Sequence, residues 1–268
     1  MMKQLHDKVI ELLDNGTITM MIGYKDGYNK LPVACFVEKK EQTSQLIFND
    51  QCKGNLAVYL HKPEIKKAKK IGIIGNIATL RSILQLVSEN QLWDLEKTIM
   101  TISPQGEFII FNDIPQLEKY VQEHFPEFST EDLGQLHKLE MMNRDERWAY
   151  WTEQFSACIK CYACRAVCPM CYCSQCTVEC NQPQWIKVSS GTVGNIEWHT
   201  MRAMHLAGRC INCGECGRNC PAGIPVHLLT AKMNKDVEKD FGGKTGYSAS
   251  TKYALNTFKP DDKEGFIK

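Results

Sequence analysis

A cysteine array that occurs twice with identical spacing constrains this chain more than any other feature. The first array is Cys158, Cys161, Cys164 and Cys168 followed by Pro169, and the second is Cys210, Cys213, Cys216 and Cys220 followed by Pro221. Three thiolates spaced two residues apart can follow a tight turn around one face of a metal cluster, while the proline turns the fourth cysteine away. Both arrays read C-x2-C-x2-C-x3-C-P, so the sequence predicts two metal centres that exchange a ligand.

This spacing is typical of proteins with two 4Fe-4S clusters, in which the first three cysteines of each array hold one cube and the fourth binds the other. The rule predicts two groups of ligands, which we name the cluster 1 set and the cluster 2 set. The cluster 1 set is Cys158, Cys161, Cys164 and Cys220, and the cluster 2 set is Cys168, Cys210, Cys213 and Cys216. We therefore expect two 4Fe-4S clusters and a role in electron transfer.

Zinc and disulfides are the alternatives for a segment so rich in cysteine. A zinc ribbon offers two C-x2-C pairs to one tetrahedral ion, which leaves the third cysteine and the C-P pair of each array unexplained. A disulfide framework is typical of short secreted chains, whereas this chain has 268 residues and a polar start that does not resemble a signal peptide. We favour clusters in a reducing, anaerobic cytoplasm.

Four further cysteines lie between the arrays. They are Cys171, Cys173, Cys176 and Cys180. A free cysteine can pack as a small hydrophobic residue, but four in so short a stretch exceed that need. They could hold a third iron–sulfur cluster, alone or with Cys35 or Cys52 in place of one of them. Their spacing, C-x-C-x2-C-x3-C, is not a standard cluster run, so structural or subunit-facing roles stay open.

The distribution of cysteines also divides the chain. Twelve of the 14 lie between residues 158 and 220, and the length is sufficient for about two domains. We predict an α+β protein in which residues 1–125 form an α/β lobe and residues 144–240 form a mainly helical dicluster domain. Residues 126–143 show no clear period and are predicted to link the two, and residues 241–268 are predicted to form an extended tail.

Hydrophobic patterns predict the elements of both parts. Short β-branched or aromatic runs bounded by Gly, Pro or Asn indicate strands. These runs are Thr17 to Tyr24, Leu31 to Val37, Gln45 to Phe48, Ile71 to Gly75 and Glu107 to Phe111. Apolar residues at helical spacing and capping residues indicate helices. The helices cover Leu5 to Leu13, Asn76 to Leu84, Asp113 to Phe125, Arg144 to Ala157, Ile196 to Gly208 and Pro225 to Lys239.

The passage from strand to helix at Gly75 is of the kind found in nucleotide-binding units. Gly72 and Gly75 do not make up the full dinucleotide fingerprint, so we expect the turn to serve packing and do not expect FAD or FMN. We predict that the lobe docks a partner, as a degenerate flavin-type domain. The aromatic stripe Trp148, Trp151 and Phe155 is predicted to pack the entry helix onto the core of the dicluster domain.

Two parts of the chain resemble known families. Cys210 to Val226, with the helix after it, resembles the α-helical ferredoxins of heterodisulfide reductases, and a small β-rich ferredoxin is our second choice for this domain. The segments Ile22 to Tyr24, Phe48 to Leu60 and Ile71 to Arg81 resemble the beta-subunit family of deazaflavin-reducing hydrogenases and formate dehydrogenases, and Glu146 to Trp185 resembles a dicluster branch of it. Related proteins often have Gly-Cys-Asp where this chain has Gly75-Asn76-Ile77, so the resemblance carries no thiol or metal role to that turn.

The resemblance implies an electron-transfer subunit of an anaerobic multi-subunit oxidoreductase that relays single electrons and does no chemistry of its own. Its partners would be flavin-containing subunits of the heterodisulfide reductase-like, formate dehydrogenase or hydrogenase type. One alternative is a flavin-containing reductase beta subunit with a catalytic site in its N-terminal lobe. Another is a redox-sensing or structural iron–sulfur protein. The sequence does not name the donor or the acceptor.

Charge and hydropathy exclude other classes of partner. Lys and Arg number 32 against 31 Asp and Glu, which gives no global attraction to nucleic acid or to an anionic membrane. The longest apolar stretch, Ile71 to Ala78, is far shorter than the ~20 residues of a membrane-spanning helix. We predict a cytoplasmic protein without a nucleic-acid partner or a membrane span. Three histidines near the arrays, His199, His205 and His227, are predicted to pack or to hydrogen-bond cluster sulfur.

Overall fold

The computed structural model describes residues 2–92, 95–126, 129–180 and 182–251. Within them the chain is an α+β protein, in which a five-stranded sheet precedes a largely helical part. The strands are β1 (Met20–Asp26), β2 (Pro32–Val37), β3 (Lys70–Ile74), β4 (Glu96–Ile102) and β5 (Phe108–Phe111). Their order is β2-β1-β3-β4-β5, with β1, β3 and β4 parallel and both edge strands antiparallel to their neighbours.

Helices cover both faces of the sheet. Helix α1 (Met2–Asp14) packs on one face, and α3 (Ile77–Ser88) and α4 (Ile114–Glu123) pack on the other. Helix α2 (Pro63–Ala68) and the 3-10 helices Tyr28–Lys30, Lys40–Gln45 and Leu56–His61 fill the connections. The parallel strands are therefore covered on both sides, which is the usual condition for a parallel sheet.

The central strand β3 shows why the sequence forms this sheet. Ile73 packs with α3 and α4 on one face, while Ile74 packs with α1 on the other, because successive side chains of a strand point to opposite faces. Gly72, directly before Ile73, leaves room for Met21, since a Cβ there would lie 2.6 Å from Met21 Sδ. An apolar strand of this kind, followed by a capped helix, gives the parallel β3–α3–β4 crossover.

The second half of the chain is helical between its loops. Its helices are α5 (Thr130–Met141), α6 (Arg144–Ser156), α7 (Ala163–Ala166), α8 (Thr192–His205), α9 (Glu215–Arg218) and α10 (Val226–Phe241). Phe155 of α6 and Trp198 of α8 are the largest side chains of one core, and Leu136 of α5 packs against Leu228 of α10 in a second. This part contains no strand among its described residues. It is therefore mainly helical, as predicted, and does not have the fold of a small β-rich ferredoxin.

The helical part packs directly on α3. Glu89, the residue after α3, accepts hydrogen bonds from Arg209 Nη2 at 2.7 Å and from Tyr172 Oη at 2.6 Å. Met170 and Leu206 belong to the same hydrophobic core as Ile73. The sheet and the helical part therefore share a core, and the domain boundaries stay predictions.

The described part of the predicted tail, residues 242–251, lies along this same interface. Thr245 O accepts a hydrogen bond from Arg81 Nη2 at 3.0 Å, and the Gly246 amide donates to Gln85 Oε1 at 2.9 Å. The remainder of that tail, residues 252–268, lies outside the described residues.

Several predicted elements differ from the structure. The strand predicted for Gln45 to Phe48 is wrong, since only Ile47 forms a single bridge, to Tyr24. Strand β4 was not predicted, because its charged start obscures the apolar alternation. Residues 126–143 contain helix α5, capped by Ser129 Oγ, and α8 starts at Thr192, ahead of the predicted Ile196. No described helix is both long and apolar enough to cross a membrane.

Candidate metal centres

The two cysteine arrays have the same backbone conformation. In the first array, Lys160 and Tyr162 have φ values of 52° and 59°; at the equivalent positions of the second, Asn212 and Gly214 have values of 57° and 73°. This left-handed region is uncommon for residues other than glycine, yet three of the four are not glycine. A single helical turn then carries the third cysteine of each array, in α7 and α9.

These turns direct a backbone amide at the first sulfur of each array. The amide of Lys160 lies 3.4 Å from Cys158 Sγ, and the amide of Asn212 lies 3.4 Å from Cys210 Sγ. A hydrogen bond to a thiolate favours its charged form. These amides partly offset burial, which on balance raises the pKa of both Cys158 and Cys210.

A buried asparagine fixes the start of each array. Asn195 on α8 donates to the carbonyls of Phe155 and Cys158, each at 2.9 Å, and its side chain is fully buried. Asn234 on α10 donates to the carbonyl of Cys210, and also lies 2.9 Å from Thr245 Oγ1. Each of these cysteine carbonyls also accepts from a hydroxyl, Cys158 O from Ser190 Oγ at 2.6 Å and Cys210 O from Thr245 Oγ1 at 2.8 Å, so both loop carbonyls are fully satisfied.

The four cysteines of the cluster 1 set line one cavity. The lining includes Cys158, Cys161 and Cys164 of the first array together with Cys220 of the second. Tyr162, Trp198 and His199 enclose the same space. Cys161 is exposed and Cys164 is buried, so this cavity lies at the protein surface on one side.

The four cysteines of the cluster 2 set line another cavity. Here the second array contributes Cys210, Cys213 and Cys216, and the first contributes Cys168. Arg202, Glu215 and His227 also line it. The structure therefore brings together both groups of cysteines that the sequence predicts, and their assignment as ligands stays a prediction.

The residues present fit iron–sulfur clusters in their chemistry. Burial raises the pKa of Cys164 to about 11 and that of Cys213 to about 12, so as free thiols both would stay protonated at neutral pH. A positively charged metal core offsets this penalty, because metal ligation deprotonates a thiol. Among the described residues, no group of three or more His, Cys, Asp or Glu side chains is placed to hold a single metal ion.

His199 lies between the aromatic core and the first array. Its Nε2 is 3.3 Å from Cys158 Sγ, and its ring stacks on Phe155 with centroids 4.3 Å apart and planes 5° apart. Burial, with the nearby charges of Arg202 and Lys160, lowers the pKa of His199 to about 3. The neutral ring can donate one N–H, and Nδ1 has no hydrogen-bond partner among the described residues, so the donated hydrogen goes to sulfur.

Two buried arginines face the cysteines. Arg202 of α8 is 4% exposed and donates to the carbonyl of Cys164 at 2.9 Å. Burial opposes its charge, but the surrounding cysteines outweigh burial and raise the pKa of Arg202. Arg81 of α3 is 5% exposed, and burial lowers its pKa to about 10 although Cys210 and Cys213 oppose the shift. Both guanidinium groups therefore stay charged at neutral pH.

The four intervening cysteines are not brought together as one group. Cys171 hydrogen-bonds Cys168, which lowers the pKa of Cys168, and it packs against the core shared with the sheet. Cys176 packs instead against the core around Phe155, and Cys173 and Cys180 are exposed. Cys35 and Cys52 are buried in the two cores of the sheet. A third centre at these residues stays a prediction without support from the geometry.

The prediction that the aromatic stripe on α6 packs into the core is confirmed for two of its three residues. Phe155 is 1% exposed and Trp151 stacks on it with ring centroids 5.2 Å apart, as predicted for core residues. The prediction is wrong for Trp148, because this side chain is 62% exposed. It lies at the edge of a groove between α5, α6, α8 and α10. The helix buries only the last part of its stripe.

The glycine turn of the sheet opens onto a separate cavity. Asn76 caps α3 by accepting from the Thr79 amide at 2.9 Å, and its Nδ2 donates to Cys52 O at 2.7 Å. The cavity, of about 740 Å³, lies at the carboxyl ends of β3 and β4 and reaches Arg218. Arg218 Nη2 in turn donates to Cys213 O at 2.7 Å, which connects this cavity with the second array.

Sequence reasoning missed several residues that shape the two centres. They are Asn195, Asn234, Arg81 and Arg202, and none of them carries a motif. Asn195 and Arg202 contact the first array from α8, and Asn234 contacts the second from α10. Arg81 of α3 is linked to the second array through Thr245. A polar residue on the apolar face of a predicted helix is the available signal, since such a residue is buried with a partner. His199 lies on the face of α8 that also carries Trp198 and Arg202.

Comparison with known proteins supports the chemistry of this region. Residues 171–225 match a family described as a 4Fe-4S dicluster domain. The match includes the second array and the four intervening cysteines but not the first array. It confirms that this part of the chain is of the iron–sulfur, 4Fe-4S type, although it does not fix the number of clusters.

Two curated relatives are similar over part of the chain. The F420-dependent formate dehydrogenase subunit beta of Methanocaldococcus jannaschii is 32% identical over 93 residues, which is 34% of this chain and 24% of the relative. The F420-dependent formate dehydrogenase 1 subunit beta of Methanococcus maripaludis is 34% identical over 105 residues, or 39% of this chain and 26% of the relative. The matched region spans about a quarter of each relative. The resemblance to formate dehydrogenase beta subunits is thus confirmed.

Proposed function

We propose that this chain is an electron-transfer subunit of a formate dehydrogenase-type complex, in which it relays single electrons through two 4Fe-4S clusters. The observation that carries the proposal is the pair of cavities, each lined by three cysteines of one array and one of the other. Two centres that exchange a ligand must lie close together, because Cys164 and Cys168 are four residues apart and belong to different sets. Close one-electron centres are suited to relaying electrons.

The partners in this proposal are flavin-containing subunits of the same complex. The curated relatives are beta subunits of formate dehydrogenases by name, which favours that type over the heterodisulfide reductase-like and hydrogenase types. A subunit of this kind would exchange electrons with a partner that handles the substrate, in an anaerobic cytoplasm. Soft thiolate donors and a 4Fe-4S match favour electron transfer over a zinc-based structural role.

The test is anaerobic purification of the native protein with whatever it binds. We expect about eight iron and eight sulfide per chain, paramagnetic signals on reduction, and co-purification with a flavin-containing subunit. The isolated chain should not turn over formate, hydrogen or pyridine nucleotide, and adding its partners should restore electron transfer. Substrate turnover by the pure single chain would contradict the proposal.

A second candidate is a reductase beta subunit with its own flavin in the N-terminal lobe. The cavity at the carboxyl ends of β3 and β4 favours it, because about 740 Å³ is within the usual range for cofactor sites. Phe48, Tyr120 and Phe125 supply aromatic walls, and Arg218 and Lys53 supply positive charge. Purified protein that shows a flavin absorption spectrum, and that releases the flavin on denaturation, would favour this candidate. Absence of flavin from protein reconstituted with FAD or FMN would reject it.

A further inference from the structure

Two buried arginines make the surroundings of the two cavities unequal. Arg202 and Arg81 are 4% and 5% exposed, and within the described part of the chain neither forms an ion pair with a carboxylate. The Nε atoms of both are buried without a hydrogen-bond partner among the described residues. A buried charge is costly unless it has a compensating partner. Anionic sulfur ligands are therefore the natural counter-charge.

Both arginines face mainly the cluster 2 set. Arg202 lines the cavity of that set; among the cysteines, Cys171, which belongs to neither set, acts most on its charge, followed by Cys168 and Cys216 of the set. From the cluster 1 set it contacts the carbonyl of Cys164. Arg81 approaches from α3, where its Nη2 donates to the carbonyl of Thr245 at 3.0 Å, and Thr245 Oγ1 in turn donates to the carbonyl of Cys210 at 2.8 Å. The cysteines that act on its charge are Cys210 and Cys213 of the cluster 2 set.

Other charges at that cavity have partners of opposite sign. Glu215 forms an ion pair with Arg218, and Glu89 forms one with Arg209 at 2.7 Å. Asp132 faces His227 at 3.1 Å, and its side chain is 32% exposed, so water screens it. The net contribution of these groups is small beside two guanidinium groups that lack a carboxylate partner among the described residues.

The cavity of the cluster 1 set has weaker positive surroundings. His199 places its Nε2 3.3 Å from Cys158 Sγ, and one buried cation lines this cavity, Lys160, which is 8% exposed and has its Nζ on the carbonyl of Lys187. Cys161 is exposed to solvent, and Ile159 next to it is 66% exposed. Water thus screens this site on one side, while Arg202 and Arg81 act on the other site from within the protein.

We propose that Arg202 and Arg81 give the cluster held by Cys168, Cys210, Cys213 and Cys216 the higher reduction potential of the pair. Reduction adds negative charge to a cluster, and a buried cation stabilises that charge. With both clusters bound, an electron on cluster 1 would move to oxidised cluster 2 with no bond broken and no proton moved. The inference rests on the proposed function, and it makes transfer from the exposed cluster to the one beside the sheet the energetically favourable direction.

The experiment is a potentiometric titration of the complete chain, followed by electron paramagnetic resonance. The Cys161→Ala variant removes a ligand of cluster 1 only and so identifies the signal of cluster 2. We expect cluster 2 to be reduced at the less negative potential. Arg81→Met and Arg202→Met should shift its midpoint to more negative values, by more than they shift cluster 1, while Arg81→Lys and Arg202→Lys should retain most of the original value.

The control is Lys235→Met, which removes an exposed cation paired with Glu140 and should shift neither midpoint. If Arg202→Met fails to assemble both clusters, Arg81→Met decides, because α3 lies outside the arrays. Equal shifts of both clusters, or a higher potential for cluster 1, would overturn the inference while leaving the relay intact. Fewer than two cluster signals in the unmodified protein would instead defeat the proposed function.

Discussion

The two cysteine arrays share one backbone and differ in what surrounds them. Each has two left-handed residues, a one-turn helix, an amide directed at the first sulfur and a buried asparagine on the first carbonyl. The first array reaches the surface at Cys161, whereas the second is enclosed between α3, α8 and α10. The comparison teaches that the local sequence sets how metal is held, while distant elements set the electrostatics and the access of solvent.

The largest effect should come from exchanging the ligands that cross between arrays. Cys220→Ala should remove cluster 1, although Cys220 belongs to the second array, and Cys168→Ala should remove cluster 2. In each case about four of about eight irons should be lost, as measured by iron and sulfide analysis with electron paramagnetic resonance. The signal that survives in Cys161→Ala is that of cluster 2. If Cys220→Ala abolishes this signal instead, the four cysteines of each array bind the same cluster and no ligand is exchanged.

Removing the asparagine contacts should destabilise the arrays separately. Asn195→Ala removes one donor from the carbonyls of Phe155 and Cys158, while Ser190 Oγ still donates to Cys158 O at 2.6 Å, so we expect a cost of about 1 kcal/mol for each hydrogen bond lost. Asn234→Ala should act in the same way on the second array. Anaerobic denaturant titration followed by cluster absorbance measures both, with the exposed Lys138→Ala as the control. Unchanged midpoints in both asparagine variants would show that the loops do not depend on these bonds.

Differences in exposure should appear in the rate of cluster loss. An iron chelator should remove cluster 1 several-fold faster than cluster 2, because solvent reaches Cys161 directly while Cys216 is buried. Time-resolved electron paramagnetic resonance of the reduced protein distinguishes the two signals. Loss of both at one rate would mean that global opening, and not local access, limits the process.

The smallest effect should be a shift in the potential of cluster 1. His199→Phe keeps an aromatic ring stacked on Phe155 but removes the N–H that faces Cys158 Sγ. Because hydrogen bonds to sulfur raise the potential of a cluster, we expect a more negative midpoint for cluster 1 and none of that change for cluster 2. His205→Phe, exposed on the same helix, is the control. If cluster 1 has the same midpoint potential in the unmodified protein and in His199→Phe, then His199 does not tune that potential.

The sequence was sufficient for elements whose signals are local. The spacing of the arrays predicts the same grouping of cysteines that lines the two cavities. The capping residue Asp113 marks the start of α4, the predicted start at Arg144 is that of α6, and the apolar run at Ile71 marks β3. In each of these cases the residues that determine the element lie within the element or next to it.

The elements that were missed depend on contacts between distant residues. Strand β4 pairs with β3 although its first residues are charged, and α5 buries only Leu136 and Leu139, against α10. Arg81 reaches the second array from a helix more than a hundred residues earlier in the chain. Local spacing carries no information on such approaches, so the buried charges could not be predicted.

The packing of α3 means that the cysteine-rich half is not a detachable module. Arg81, Gln85 and Glu89 recur every four residues along one side of this helix and bind Thr245, Gly246 and Arg209. A gene fragment that encodes only the arrays would leave Met170 and Leu206 without their apolar cover. The sheet thus serves as a scaffold for the electron-carrying half, and the two halves are expected to be inherited as one unit.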